Sequence, residues 1–302
     1  MRVLPLFKKT SGLKTIVDPS RIQYDPDLGL EFLAAAKNID IDDSGRISRR
    51  RGFTSTLRVE AIRCLFSEGG ITLAVSGSKL CLLKEDLSWT VLRSDLTPGA
   101  RMGYVRVKDR VYYCNGHQKG YVENGENHDW VRGEYVGPAT AKVFQDPPLG
   151  HLLEVGMGRL FIGSEDTLWW SRRFDYSSFD LARDFLFFEE GLRMVGAVDG
   201  GLFVSTDREI IFLQGDDAED FRYISIANYP AVEGTMVRVD GSLVGDGSIE
   251  GRVLLFATVE GICLAGSGGR FLNLTKDRII LPTARYGSGL IYKGRYICLL
   301  EP

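Results

Sequence analysis

Histidine is scarce in this chain, with only His117, His128 and His151 among 302 residues. An enzyme that activates water by imidazole or through a metal needs several such groups converging on one point. These three lie in polar or Pro-flanked stretches and read as loop or surface side chains. The five cysteines (Cys64, Cys81, Cys114, Cys263, Cys298) are scattered, with no CxxC and no Cys/His cluster, which argues against a zinc site. Most sit inside apolar runs, as reduced, buried thiols of a reducing compartment do. No apolar run approaches a membrane span, and the charged start, lacking an apolar core, does not read as a signal peptide. No GxSxG elbow occurs. Gly245-Asp246-Gly247 and Gly266-Ser267-Gly268-Gly269 are not followed by a Lys-Ser/Thr pair and read as hairpin turns rather than phosphate loops. The formal net charge of -3 gives no global attraction to nucleic acid or anionic lipid. No catalytic residue, cofactor or metal is expected.

What the chain does have is glycine, 35 against 10 prolines, which suits many tight hairpins. A polar turn followed by strand-forming residues recurs along the chain. It reads Glu68-Gly69-Gly70-Ile71-Thr72-Leu73, Lys108-Asp109-Arg110-Val111-Tyr112-Tyr113 and Met157-Gly158-Arg159-Leu160-Phe161-Ile162. It returns as Asp199-Gly200-Gly201-Leu202-Phe203-Val204, Glu250-Gly251-Arg252-Val253-Leu254-Leu255 and Lys293-Gly294-Arg295-Tyr296-Ile297-Cys298. The spacing of roughly 40 to 50 residues is the period of four-stranded propeller blades. A second hairpin follows each copy, as in Asp207-Arg208-Glu209-Ile210-Ile211-Phe212-Leu213. Unbroken apolar triplets predict strands covered on both faces by stacked neighbours.

Residues 1–27 lack periodicity and read as an extended arm that docks on something. The phrase Leu30-Glu31-Phe32-Leu33-Ala34-Ala35-Ala36 suggests one or two helical turns. Residues 38–53 read as a hairpin. The last unit ends after one hairpin, so the two chain ends are expected to share a blade. The expected fold is therefore all-β, a propeller of about six four-stranded blades over residues 28–302, closed by pairing of the N-terminal hairpin with the C-terminal strands. The weakly patterned residues 120–144 leave five to seven blades open.

The hairpin Asn38-Ile39-Asp40-Ile41-Asp42-Asp43-Ser44-Gly45-Arg46-Ile47-Ser48-Arg49-Arg50-Arg51-Gly52-Phe53 resembles the opening hairpin of tail proteins from tailed bacteriophages. So do Leu168-Trp169-Trp170-Ser171-Arg172-Arg173-Phe174 and Gly200-Gly201-Leu202-Phe203-Val204-Ser205-Thr206-Asp207. The resemblance implies a structural virion protein, a tail, neck, nozzle or hub component that forms a ring around the DNA exit channel, commonly a hexamer. It implies portal, adaptor or tail subunits as partners, with DNA met only in passage and assembly in the host cytoplasm. The chain is much shorter than typical nozzle proteins.

Arg46, Arg49, Arg50 and Arg51 form the strongest charge cluster, a candidate contact for DNA phosphates or an acidic neighbour. The blander reading is a soluble edge strand neutralised by Asp40, Asp42 and Asp43. Trp169-Trp170 with Arg172 and Arg173 offers an aromatic and cationic platform for a sugar or base. Against that, adjacent strand residues face opposite ways. Asp216-Asp217-Ala218-Glu219-Asp220 and Glu189-Glu190 lack calcium-loop spacing and read as solvated loops. Two other functions compete: a cellular interaction propeller, and a propeller enzyme acting on carbohydrate or small esters. The first should carry Trp-Asp or kelch-like signatures, which are missing. The second needs acids and histidines around the channel.

Overall fold

The computed structural model describes residues 9–25, 29–42, 44–52, 54, 62–134, 141–244 and 251–301. Among them all regular structure is β-strand apart from four single-turn 3-10 segments. Two short pairs come first: β1 (Tyr24–Asp25) with β2 (Gly29–Leu30), and β3 (Ile39–Ile41) with β4 (Ile47–Arg49).

Unit one holds β5 (Ile62–Glu68), β6 (Ile71–Ser76), β7 (Lys79–Leu83) and β8 (Trp89–Arg93). Unit two holds β9 (Gly103–Val107), β10 (Arg110–Cys114), β11 (Lys119–Glu123) and β12 (Glu126–His128). Unit three holds β13 (Leu152–Gly156), β14 (Arg159–Ser164), β15 (Thr167–Arg172), β16 (Asp175–Phe179) and a fifth strand, β17 (Phe185–Phe187), beside β15. Unit four holds β18 (Leu192–Val198), β19 (Gly201–Thr206), β20 (Ile210–Gln214) and β21 (Arg222–Ala227). Unit five holds β22 (Val237–Asp240), β23 (Arg252–Thr258), β24 (Gly261–Gly266) and β25 (Arg270–Asn273). The last unit has only β26 (Tyr286–Tyr292) and β27 (Arg295–Glu301).

Every sheet is antiparallel, and neighbouring strands follow one another in the chain except for β17, which joins β15. The recurring phrase is the turn between first and second strand of each unit. Met157 with Gly158, and Lys293 with Gly294, take positive φ at successive positions, which matches the twist of a two-residue hairpin.

The units stack face to face. Leu73, Val75 and Leu80 meet Val111, Tyr113 and Val122 between units one and two. Cys114 and Trp130 meet Leu160 and Phe179 at the next junction. Trp170 and Phe161 meet Leu202 and Leu213, and Phe203 and Phe212 meet Leu254 and Phe256. Val253 and Leu255 receive Ile291 and Tyr296 of the last unit. Truncating a buried ring such as Phe212 to alanine costs about 3–5 kcal/mol. Strand β19 is buried along its length because neighbours cover both its faces. Strand β27 alternates half-buried and exposed residues instead. One of its faces is open, with Ile297 and Leu299 outward beside Leu290 of β26.

Two expectations change. The stretch 30–36 is not helical: it ends β2, bends, and bridges at Leu33. Leu33 forms a parallel bridge with Leu13, and its N–H donates to the Gly12 carbonyl oxygen. Pairing that buries Leu33 outweighs a weak local helix preference. The described part of the expected arm docks on its own chain: the Thr15 N–H donates to the Arg278 carbonyl oxygen, and the Ile280 N–H donates to Thr15 Oγ1. The shared closing blade is not seen as backbone pairing. Sheets β3–β4 and β26–β27 are separate, joined among the described residues by Arg295 Nη1 at 3.8 Å from Asp40 Oδ1.

Candidate functional site

The first strands of all six units, β5, β9, β13, β18, β22 and β26, line one central cavity of about 1110 Å³. Side chains just ahead of these strands, or at their first residues, gather at one mouth: Arg101, His151, Arg193 and Glu233. Arg101 donates to the carbonyl oxygens of Glu233 (3.3 Å) and Gly287 (3.4 Å) and lies 4.5 Å over the Tyr286 ring. Arg193 Nε pairs with Asp207 Oδ1 at 2.5 Å, and His151 Nε2 is 3.2 Å from the Leu192 carbonyl oxygen. Burial pushes the Glu233 carboxyl above the usual carboxylate range, against the opposing pull of His151, Arg101, Arg285 and Arg193. A carboxyl raised in this way within electrostatic reach of an imidazole is a combination found at acid–base sites.

Deeper in, Glu154 of β13 is fully buried and accepts from Arg238 of β22, Nη2 at 2.8 Å and Nε at 3.1 Å. Burial opposes the Arg238 charge, but the Glu154 carboxylate, with Glu68 adding, holds its pKa above the ordinary value. The pair ties unit three to unit five.

The arginine-rich strand is a surface element: Arg46, Arg49, Arg50 and Arg51 are all exposed. Arg50 Nε is 3.3 Å from Asp40 Oδ1, so part of the cross-strand neutralisation is present. Asp42 instead caps its own turn. The Ser44 hydroxyl and the Arg46 N–H donate to it and hold its pKa below the usual range. Asp43 and Phe53 lie outside the described residues.

Arg172 and Arg173 sit on unit three, with Arg172 5.8 Å from the Phe144 ring centroid and Arg173 Nη1 3.9 Å from Asp217 Oδ2. Trp169 and Trp170 do face opposite junctions, as strand alternation requires.

The acidic stretch is not simply a solvated loop. Asp217 caps a 3-10 turn and, with Glu219, receives the buried Arg159 at 2.8 and 3.2 Å, while Lys142 joins Glu219 to Asp184. Position relative to an inner strand would have pointed to His151, which the sequence reading left on the surface. Nothing local marks Arg159 as a hub, because its partners are about 60 residues away in the chain.

No known protein family's sequence profile matches this chain, and no curated protein matches it in sequence. Solved structures do resemble it in fold. BBS1N in its complex with ARL6DN is 11% identical, with a TM-score of 0.51, covering 87% of each chain. The N-terminal domain of Nup159 is 11% identical, with a TM-score of 0.50, over 83% of this chain and 76% of that one. The extracellular domain of BT4673 from B. thetaiotaomicron is 10% identical, with a TM-score of 0.51, over 87% of this chain but 36% of that one. At such identity the likeness establishes a shared β-propeller fold and nothing about role.

Proposed function

We propose that this protein is a non-enzymatic structural subunit of a tailed-bacteriophage tail or neck, and that β3–β4 completes its sixth blade at the free edge of β27. The observation that carries the reading is the acid–arginine hairpin. The stretch that bears the resemblance stands at the surface with four exposed arginines, next to the last unit through Asp40 and Arg295. Exposed charge and the open apolar face of β26–β27 together suit contacts to neighbouring copies and to portal, adaptor or tail subunits. Duplex DNA would not thread the propeller itself, whose inner strands β13 and β22 are tied together by Glu154 and Arg238. It passes through a ring of copies, commonly six, each forming a wall segment, with Arg46, Arg49, Arg50, Arg51, Arg172 and Arg173 as candidate partner or DNA contacts. Mass spectrometry and a density map of purified particles test this. The protein is expected in the tail or neck at ring stoichiometry. A monomer absent from particles would overturn the reading.

The Glu233–His151 mouth favours a second reading, an enzyme acting on sugars or small esters. Turnover by the wild-type chain that is lost in Glu233→Gln would move the assignment there.

A further inference from the structure

The outer strands of units three and four carry an aromatic and acidic surface. Phe187 of β17 is 65% exposed and Tyr223 of β21 is 55% exposed. Both line a surface recess of about 300 Å³, with Glu189, Glu190, Arg208 and Glu209 also in its wall. Glu209 accepts from the Tyr223 hydroxyl at 2.6 Å and from Ser225 Oγ at 2.7 Å, two neutral donors that leave its charge in place. Arg208 Nη1 stands 4.0 Å from Glu190 Oε1 and answers that carboxylate in part. Glu189 is exposed and forms no ion pair among the described residues. Burial and the Glu209 hydrogen bond push the Tyr223 hydroxyl up to about 12, with Glu189 acting in the same direction, so both carboxylates lie within electrostatic reach of this residue.

Two uncompensated carboxylates beside two exposed rings make the chemistry that takes a guanidinium. The ring attracts the cation through its face, and the carboxylates accept charge-assisted hydrogen bonds. The same chain carries the complement. Arg49 and Arg51, at the end of β4, are exposed and form no ion pair among the described residues, whereas Arg50 is drawn to Asp40. Residues two apart in extended chain share a side at about 7 Å spacing, so these two guanidiniums are presented together. Among the described residues β4 pairs only with β3, and β17 only with β15, so each is the outermost strand of its sheet. β4 lies beside the last unit through Asp40 and Arg295, and unit five stands between that unit and unit four. The recess and the arginine strand are therefore different surfaces of one copy. Contacts between unlike surfaces run head to tail and close into rings.

We propose that the recess on units three and four of one copy receives β4 of a second copy, with Arg49 and Arg51 over the Tyr223 and Phe187 rings and paired with Glu189 and Glu209. This contact rests on the ring reading above and supplies the two faces that join its neighbouring copies.

Sedimentation velocity of the full-length protein tests it. Wild type is expected to self-associate in about 0.05 M salt and to dissociate towards about 0.5 M, where exposed charges are screened. Glu189→Arg, and separately Arg49→Glu with Arg51→Glu, are each expected to weaken association at least about tenfold. An equimolar mixture of the two variants is expected to form dimers, because the intact β4 of the first meets the intact recess of the second. Phe187→Ala removes one exposed ring and no charge. It is expected to weaken association about threefold, and it serves if Glu189→Arg does not fold. Association of both charge variants at wild-type strength overturns the contact and leaves the ring to other surfaces. So does a mixture that stays monomeric while wild type assembles. A wild type that is monomeric at up to about 100 µM in low salt overturns it too, and the composition of particles then decides the ring reading separately. Should particles carrying Glu189→Arg lose a different tail subunit while the variant still self-associates, the recess takes that subunit and not a second copy.

Discussion

Arg238 on β22 of unit five pairs with Glu154 on β13 of unit three at 2.8 Å, so it links two units that do not follow one another in the chain. Glu154 is fully buried while the Arg238 side chain keeps 28% of its surface. Removing one partner of a buried pair strands the other charge. Glu154→Gln and Arg238→Met are each expected to destabilise by about 3–5 kcal/mol, whereas the joint replacement Glu154→Leu with Arg238→Met is expected to cost under about 1 kcal/mol. Urea unfolding of the three variants checks this. Equal losses for single and double variants would mean that the pair contributes through packing alone.

Glu233 gives the channel mouth a pH signature. Its carboxyl is raised by burial, with His151, Arg101, Arg285 and Arg193 opposing. The unfolded chain therefore releases this proton at lower pH than the folded one. The stability it contributes is present below the unfolded pKa and is lost as pH rises through the folded value. Glu233→Gln should remove that decline, so its melting temperature is expected to exceed the wild-type value at pH 7 and to match it near pH 4. Thermal scans between those pH values test the sign.

Arg159 behaves oppositely. It is buried and donates to Asp217 Oδ1, Glu219 Oε1 and the Ser171 carbonyl oxygen. Burial opposes the Asp217 charge, but the Glu219 backbone N–H and Arg159 outweigh it and leave the pKa lowered. For Glu219, the Lys142 hydrogen bond leads in the same direction. Carboxylates with lowered folded pKa stabilise above their unfolded pKa, and that contribution fades as pH falls. Arg159→Met is expected to cost about 2–4 kcal/mol at pH 7 and less at pH 3, because both carboxylates face solvent in part. An undiminished loss at pH 3 would show that packing, not charge, holds the unit three to unit four junction.

The repeat was legible because each copy is local. A turn such as Met157-Gly158 and the apolar run after it specify a hairpin without help from the rest of the chain. The separation of Trp169 from Trp170 followed from strand alternation alone. What was not legible depends on pairing over long range. Leu33 looked helical because Leu13, which holds it extended, gives no local sign of doing so. Arg159 and Asp217 are brought together only by the stacking of two units. The mouth residues Arg101, His151 and Glu233 come from three separate linkers, so no motif joins them. Trp170 and Asp184 pair through β15 and the residue ahead of β17, a fifth strand that departs from the four-strand repeat.

Closure of the sixth blade can be measured on β27. In units one to five every second strand is paired on both edges, while β27 pairs with β26 alone among the described residues. Adding β3 to its outer edge would protect alternate β27 amides from hydrogen exchange to the level of β23. Asp40 accepts from Arg50 and lies 3.8 Å from Arg295, so Asp40→Lys places three cations together where the two hairpins meet. An exposed ion pair by itself is worth under about 1 kcal/mol. The variant is therefore expected to lose more than that, together with the β27 protection, when the hairpins form one sheet. Fast exchange of every other β27 amide in the wild-type chain would instead leave the ring open at the seam between units six and one, with Leu290, Ile297 and Leu299 exposed there.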